Sequence, residues 1–232
     1  MSINFIADSN ILVIGSTGAG KTTAVFEIIK QKRINPMPEK IFYLYATHQP
    51  IFDQWCDKIT FVKGLQLDVI ENYKEPKLLI IDDLILEISR ELANHVIAGS
   101  HHKNTTTIFI THSIFLNNEL YRLISNNAQY ILLFKNKRNF SQVTRLARQI
   151  LGAEYNKLLE AYKYVGSYQF VLLSFHPKVP EELLVTAEDN IKTSKREANI
   201  KTSKKETNIK TSKNEANIKV YFSKKEVTKR TS

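Results

Sequence analysis

One short stretch has residue types and spacing suited to holding a phosphate chain. In "NILVIGSTGAGKTTAVF", residues 10–26, Gly15 is followed by four residues and then by Gly20, Lys21 and Thr22. The pattern is G-x-x-x-x-G-K-[ST], set after an apolar run at 11–14 and before a helix-forming segment, which is the context a P-loop requires. Glycines at 15, 18 and 20 permit positive φ and close backbone approach, so successive N–H groups can point at phosphate oxygens from a helix N-terminus. The expected cradle is Gly15, Ser16, Thr17, Gly18, Ala19, Gly20, Lys21, Thr22 and Thr23. Lys21 would reach the β- and γ-phosphates of ATP, and the Thr22 hydroxyl would sit on a Mg²⁺ ion that keeps most of its waters.

A second constellation, "KLLIIDDLILE", ends a buried strand in Asp82 and Asp83 and then starts a helix. This is a Walker B pattern: Asp82 would bind the Mg²⁺, and Asp83 would orient or deprotonate the attacking water, because a carboxylate beside a cation stays ionised. The same pair could instead cap a helix. In "TTTIFITHSIF" a strand delivers Thr111 and His112 to the same sheet edge. Were that strand to lie between the other two, either residue would stand near the γ-phosphate as a polar sensor. Arg138, Arg145 and Arg148 follow the fifth strand and are candidates for an arginine inserted into a neighbouring subunit's site, a contribution worth about 10³ to 10⁵ in rate. Arg145 and Arg148, three residues apart, could equally form a solvated helix face. "NKRN" at 136–139 lacks the aspartate of a guanine-reading motif, and no glycine follows Asp82, which argues against a GTPase. A nucleotide kinase with the arginines as a lid stays open.

These residues need a sheet to position them. Apolar runs at 11–14, 41–45, 78–81, 107–110, 130–134 and 170–175 alternate with helix-forming segments near 21–33, 84–98, 116–125, 141–150 and 154–163. Alternation of this kind predicts an α/β fold with a mostly parallel sheet flanked by helices, and ligands at the carboxyl edge of the strands.

The chain of 232 residues is 43% hydrophobic, enough for one core with an appendage. A single cysteine excludes an internal disulfide. The first ten residues lack the basic and apolar regions of a secretion signal, and no apolar run approaches the ~20 residues of a membrane span. A soluble, non-secreted protein without membrane contact is expected. Of the net charge of +10, residues 190–232 carry +9, with 13 Lys or Arg against 4 Glu. That tail repeats "NIKTSK" every nine residues, a period that builds no continuous apolar stripe on a helix or strand, so it is expected to be disordered. The domains are thus read as a P-loop ATPase domain at 1–189 and a basic tail at 190–232. The tail could bind phosphates or an acidic surface, or be a solvated extension with no necessary role.

Taken in order, "IGSTGAGKT", "PMPEKIFYLYATHQPIFDQW", "FVKGLQ", "LLIIDDLILE", "GSHHKNTTTIFITHSIF", "SNNAQYILLFKNKRNFSQVTRLARQI" and "YQFVLLSFHPKVPEELL" resemble the viral genome-packaging ATPases of the FtsK/HerA superfamily. The likeness is to the poxvirus-type branch found in Polinton (Maverick) elements, adintoviruses and virophages, and spans roughly residues 8–185. It implies an ASCE-type, RecA/FtsK-like P-loop NTPase that hydrolyses ATP with Mg²⁺ in a homo-oligomeric ring, hexameric or pentameric. Such a ring translocates double-stranded DNA into a capsid, with a capsid or portal protein as partner, at an assembly site in the host nucleus or cytoplasm and with a place in the virion. Lys21 and Thr22 match the family's nucleotide and Mg²⁺ contacts, and Asp82 and Asp83 its acidic pair; His112 stands where relatives commonly have Gln. Because the body is nearly neutral, DNA contact would come from local groups such as Lys103 or Lys135. Loss of turnover, leaving a nucleotide-dependent DNA-binding or scaffold protein, is the alternative from another class.

Overall fold

The structure is a computed structural model that describes residues 4–102, 104–136, 138, 140–180, 184–188 and 221–222. Its parallel strands are β2 (Asn10–Ile14), β4 (Lys40–Tyr45), β5 (Thr60–Lys63), β6 (Lys77–Asp82), β7 (Thr105–Thr111) and β8 (Tyr130–Phe134). Then β9 (Phe170–Ser174) turns back antiparallel to β8, and β10 (Val185–Glu188) antiparallel to β9. A two-residue strand, β11 (Tyr221–Phe222), runs parallel to β10; the rest of the expectation for the tail lies outside the described residues. The sheet order is β11-β10-β9-β8-β2-β7-β6-β4-β5. Two short segments, β1 (Phe5–Ile6) and β3 (Ile34–Asn35), pair separately.

The central strands read as continuous apolar runs because both faces are covered. On one face Ile11, Val13, Tyr43, Ile80, Ile108 and Ile110 pack against α1 (Lys21–Lys30) through Val25, Phe26 and Ile29. An aromatic cluster extends that face: Phe26 stacks on Tyr43 at 5.8 Å, and Phe52 on Phe61 at 4.6 Å. On the other face Leu12, Ile14, Leu79, Ile81 and Phe109 meet α3 (Arg90–His102), α4 (Glu119–Asn126), α5 (Phe140–Leu151) and α6 (Asn156–Tyr164). A four-residue helix, α2 (Asp68–Glu71), brings the buried Ile70 to that second core.

The expected alternation is present, with differences at several elements. The helix expected over 84–98 starts only at Arg90, because residues 85–87 form a single 3₁₀ turn after β6. Strand β5, like the shorter β1, β3 and β11 and the four-residue β10, was not among the predicted runs: it lies at the sheet edge with only Val62 buried, too short to stand out. The helix after the P-loop ends at Lys30 instead of reaching residue 33.

Candidate nucleotide site at the carboxyl edge

The turn between β2 and α1 is built by glycines with different jobs. Gly18 and Gly20 take φ of 76° and 95°, the left-handed region that costs a side chain most. Gly15 is not among the positive-φ residues, a departure from the expected reason for it. It is there for room: a Cβ built on it would lie 2.6 Å from Phe134 Cβ. Its N–H donates to Thr111 O at 3.2 Å, which ties the start of the turn to the end of β7.

Strand order then brings the remaining chemistry to this turn. β7 lies between β2 and β6, so His112 follows the strand beside the P-loop and Asp82 ends the strand after that. Side chains alternate along a strand, and Ile108 and Ile110 share the α1 face, so His112 comes off β7 toward α1. Thr111 points the other way and is fully buried (0% exposed), so of the two sensor candidates only His112 reaches the site. On β6, Asp82 shares the α1 face with Ile80. At Asp83 the backbone turns left-handed (φ 58°), and its N–H donates to Ile110 O at 3.4 Å. That turn ends the alternation and brings both neighbouring carboxylates to the same site.

The side chains form one connected network. Lys21 Nζ donates to Gly15 O at 2.8 Å and Ser16 O at 3.0 Å, and meets His112 Nδ1 at 3.1 Å. His112 Nε2 lies 3.0 Å from Asp83 Oδ1. With Nδ1 accepting from the ammonium, the ring proton belongs on Nε2, where it is donated to Asp83. The Tyr43 hydroxyl donates to Asp82 Oδ2 at 2.7 Å and also meets the Thr22 side chain; Gln49 Nε2 donates to the same Oδ2 at 3.3 Å. Burial sets the electrostatics. Lys21 and Asp82, only 8% and 7% exposed, are both shifted toward their uncharged forms by desolvation. For Lys21 the nearby Asp82 and Asp83 oppose that shift. For Asp82 the Tyr43 hydrogen bond, Lys21 and His112 oppose it, while Asp83 adds to it.

Such a site is short of compensating charge. The Lys21 ammonium is spent on backbone carbonyls, and the Asp82 carboxylate is buried against a hydroxyl and an amide. A polyanion would give Lys21 and the P-loop N–H groups better partners. A hard cation would return Asp82 to the carboxylate, and the oxygen donors of Asp82 and Thr22 suit Mg²⁺, which takes few protein ligands. Tyr43 and Gln49 were missed by the sequence reading. Their contact with Asp82 depends on β4 lying next to β6, with Tyr45 paired to Asp82, and strand order is not written in a motif.

The arginines lie elsewhere. Arg145 is exposed and lies over the Phe115 ring at 4.6 Å, and Arg148 over Tyr155 at 5.0 Å; both line an open depression on α5 with Ser141, Thr144 and Gln149. Arg138 is exposed, its backbone N–H donating to Asn136 Oδ1 at 3.0 Å. Among the described contacts, neither Arg138 nor Arg145 meets Lys21, Asp83 or His112. Lys135, expected to face DNA, instead donates to Tyr162 O at 2.6 Å and Lys163 O at 3.0 Å at the end of α6, and Lys103 lies outside the described residues. No helix among the described residues is long and apolar enough to cross a membrane.

No protein-family model matches the sequence, and no curated protein matches it significantly. Solved structures do. The chain is similar to B204, the DNA-packaging ATPase of Sulfolobus turreted icosahedral virus, with a TM-score of 0.52 and 14% identity over 73% of this chain and 93% of that one. It is likewise similar to the genome-packaging NTPase B204 of Sulfolobus turreted icosahedral virus 2 in complex with AMPPCP. There the TM-score is 0.51 and the identity 15%, over 72% of this chain and 93% of that one. At these identities the likeness shows the fold, an α/β P-loop NTPase with a mostly parallel sheet flanked by helices.

Proposed function

We propose that this chain is a Mg²⁺-dependent ATPase that works as a homo-oligomeric ring, hexameric or pentameric, to drive double-stranded DNA into a capsid at a viral assembly site, with a capsid or portal protein as partner. The observation that carries the reading is the convergence of Lys21, Asp82, Asp83 and His112 from three adjacent strand ends on one P-loop. The fold shared with a DNA-packaging ATPase and the run of packaging-type motifs from Ile14 to Leu184 support the finer statement.

On this reading the residues Gly15 to Thr23 cradle the phosphates, and Lys21 leaves the Gly15 and Ser16 carbonyls to bind the β- and γ-phosphates. Thr22 and Asp82 would hold the Mg²⁺, with Tyr43 and Gln49 fixing the Asp82 carboxylate. When bound, the ion would supply positive charge to offset that of the phosphates. Asp83 orients the attacking water and takes its proton as the bond from the β,γ-bridging oxygen to the γ-phosphorus breaks. His112 loses the Lys21 ammonium when that side chain moves to phosphate, so its hold on Asp83 reports whether the γ-phosphate is present. An arginine, Arg138 or Arg145, acts from the neighbouring subunit.

The test is phosphate release from ATP by the purified chain, with and without long double-stranded DNA and beside Asp83→Asn. DNA-stimulated hydrolysis that falls by about 10² to 10⁴ in the variant is expected. ATP bound but never hydrolysed would replace the motor by a scaffold that has lost turnover. Transfer to a nucleoside instead of water would make the chain a kinase.

A further inference from the structure

We propose that Tyr168 is the platform on which the base of the nucleotide stacks, an inference that rests on the nucleotide-binding reading of the P-loop. The ring belongs to the connection between α6 and β9. Because β9 runs antiparallel to β8, pairing Phe134 with Phe170, this connection arrives at the same carboxyl edge as the P-loop. It arrives on one flank only. His112 and Asp83 approach the P-loop from the β7 and β6 side, whereas β8 and β9 lie on the opposite side of β2. A phosphate chain whose terminal group faces Asp83 and His112 therefore sends its ribose and base toward β8 and β9.

Tyr168 stands at that end. A Cβ built on Gly20 would lie 3.2 Å from Tyr168 Cδ1 and 3.6 Å from its Cβ, so the tyrosine is packed on the backbone immediately before Lys21. Yet the residue remains 62% exposed, leaving apolar ring surface open beside the cradle. Its backbone is left-handed, with φ of 65°, a conformation that bulky side chains seldom adopt and that recurs at ligand sites. The turn is held by Gly166 N–H donating to Gln169 Oε1 at 2.6 Å. A tyrosine has few side-chain torsions to settle, so a ring on this turn offers a stacking face at little cost in lost side-chain freedom. Stacking needs only a π-face, so the class of ligand is a nucleoside triphosphate with a purine as the strongest stacker.

The experiment compares equilibrium affinities of the full chain for Mg²⁺-ATP and for Mg²⁺-tripolyphosphate, which has the phosphates without the base. Tyr168→Ala is expected to weaken ATP binding about tenfold and leave tripolyphosphate unchanged, with Tyr168→Phe close to the wild type. Alanine and phenylalanine carry the same Cβ into the left-handed backbone, so strain is not what distinguishes the variants. Equal weakening of both ligands by Tyr168→Ala would make the ring a mere support of the P-loop, and no change in either would remove it from the site; each overturns the proposal. A wild-type chain that binds neither ligand would instead overturn the nucleotide reading on which the proposal stands.

Discussion

The network around Lys21 and the arginine face of α5 treat charge in opposite ways. At the P-loop every ionisable group is held by another group of the same chain: Lys21 by carbonyls and His112, Asp83 by His112, Asp82 by Tyr43 and Gln49. On α5, Arg145 and Arg148 lie over their own chain's aromatic rings and, among the described residues, pair with no carboxylate. A guanidinium stacked on a ring is oriented without using its donors. On the proposed reading the first region receives a ligand within one chain, and the second leaves its guanidinium donors free for a neighbouring subunit.

Four measurements would break or sharpen that contrast. Lys21→Ala should abolish nucleotide-dependent turnover altogether, and hydrolysis surviving in that variant would sink the assignment of the cradle. Arg138→Ala and Arg145→Ala, made separately, should between them include one that lowers turnover by about 10³ with ATP affinity intact. That variant should recover activity when mixed with Lys21→Ala subunits, each supplying what the other lacks; a loss of affinity without recovery would place the arginine in its own chain's site. Tyr43→Phe removes one hydroxyl from behind Asp82 and should raise the Mg²⁺ concentration needed for half-maximal activity by about tenfold, as outer-shell partners of metal ligands usually do. An unchanged Mg²⁺ requirement would reduce Tyr43 to packing.

The smallest effect concerns stability. Burial raises the pKa of Asp82, so between its ordinary and its raised value the folded protein keeps a proton that the unfolded chain has released. Stability contributed by this group therefore falls as pH rises through that window, and above it the full cost of the buried charge remains. Asp82→Asn should raise the melting temperature at neutral pH by about 2–4 °C and change it little below the ordinary carboxylate range, while costing Mg²⁺-dependent activity. A lower melting temperature at neutral pH would mean that the attraction of Lys21 outweighs desolvation.

Much of this was legible in the sequence, for identifiable reasons. The six longest strands announce themselves because burial on both faces gives each an unbroken apolar run, and the P-loop because its glycines and Lys21 have few substitutes. The position of β7 between β2 and β6 was posed by the motifs as a condition and met by the fold. What escaped depends on pairs of segments. Gly15 is small on account of Phe134, over a hundred residues along, and Tyr43 serves Asp82 only because β4 pairs with β6. Thr111 and His112 are neighbours with equal claims in the chain, and only the pleat separates a buried threonine from a histidine on the site.

The strand order also bears on how the molecule is made. β2 carries the P-loop near the start of the chain, but its two neighbours in the sheet are β7 and β8, which leave the ribosome long after it. During synthesis β2 therefore has both its edges unpaired, an apolar segment with open backbone donors and acceptors, until the chain has passed Thr111, and one edge still open until it has passed Phe134. Closing such distant pairings is slow, so the nascent chain is exposed to misassembly until β8 has been made, and the P-loop gains the Thr111 carbonyl that anchors Gly15 only once β7 has been made.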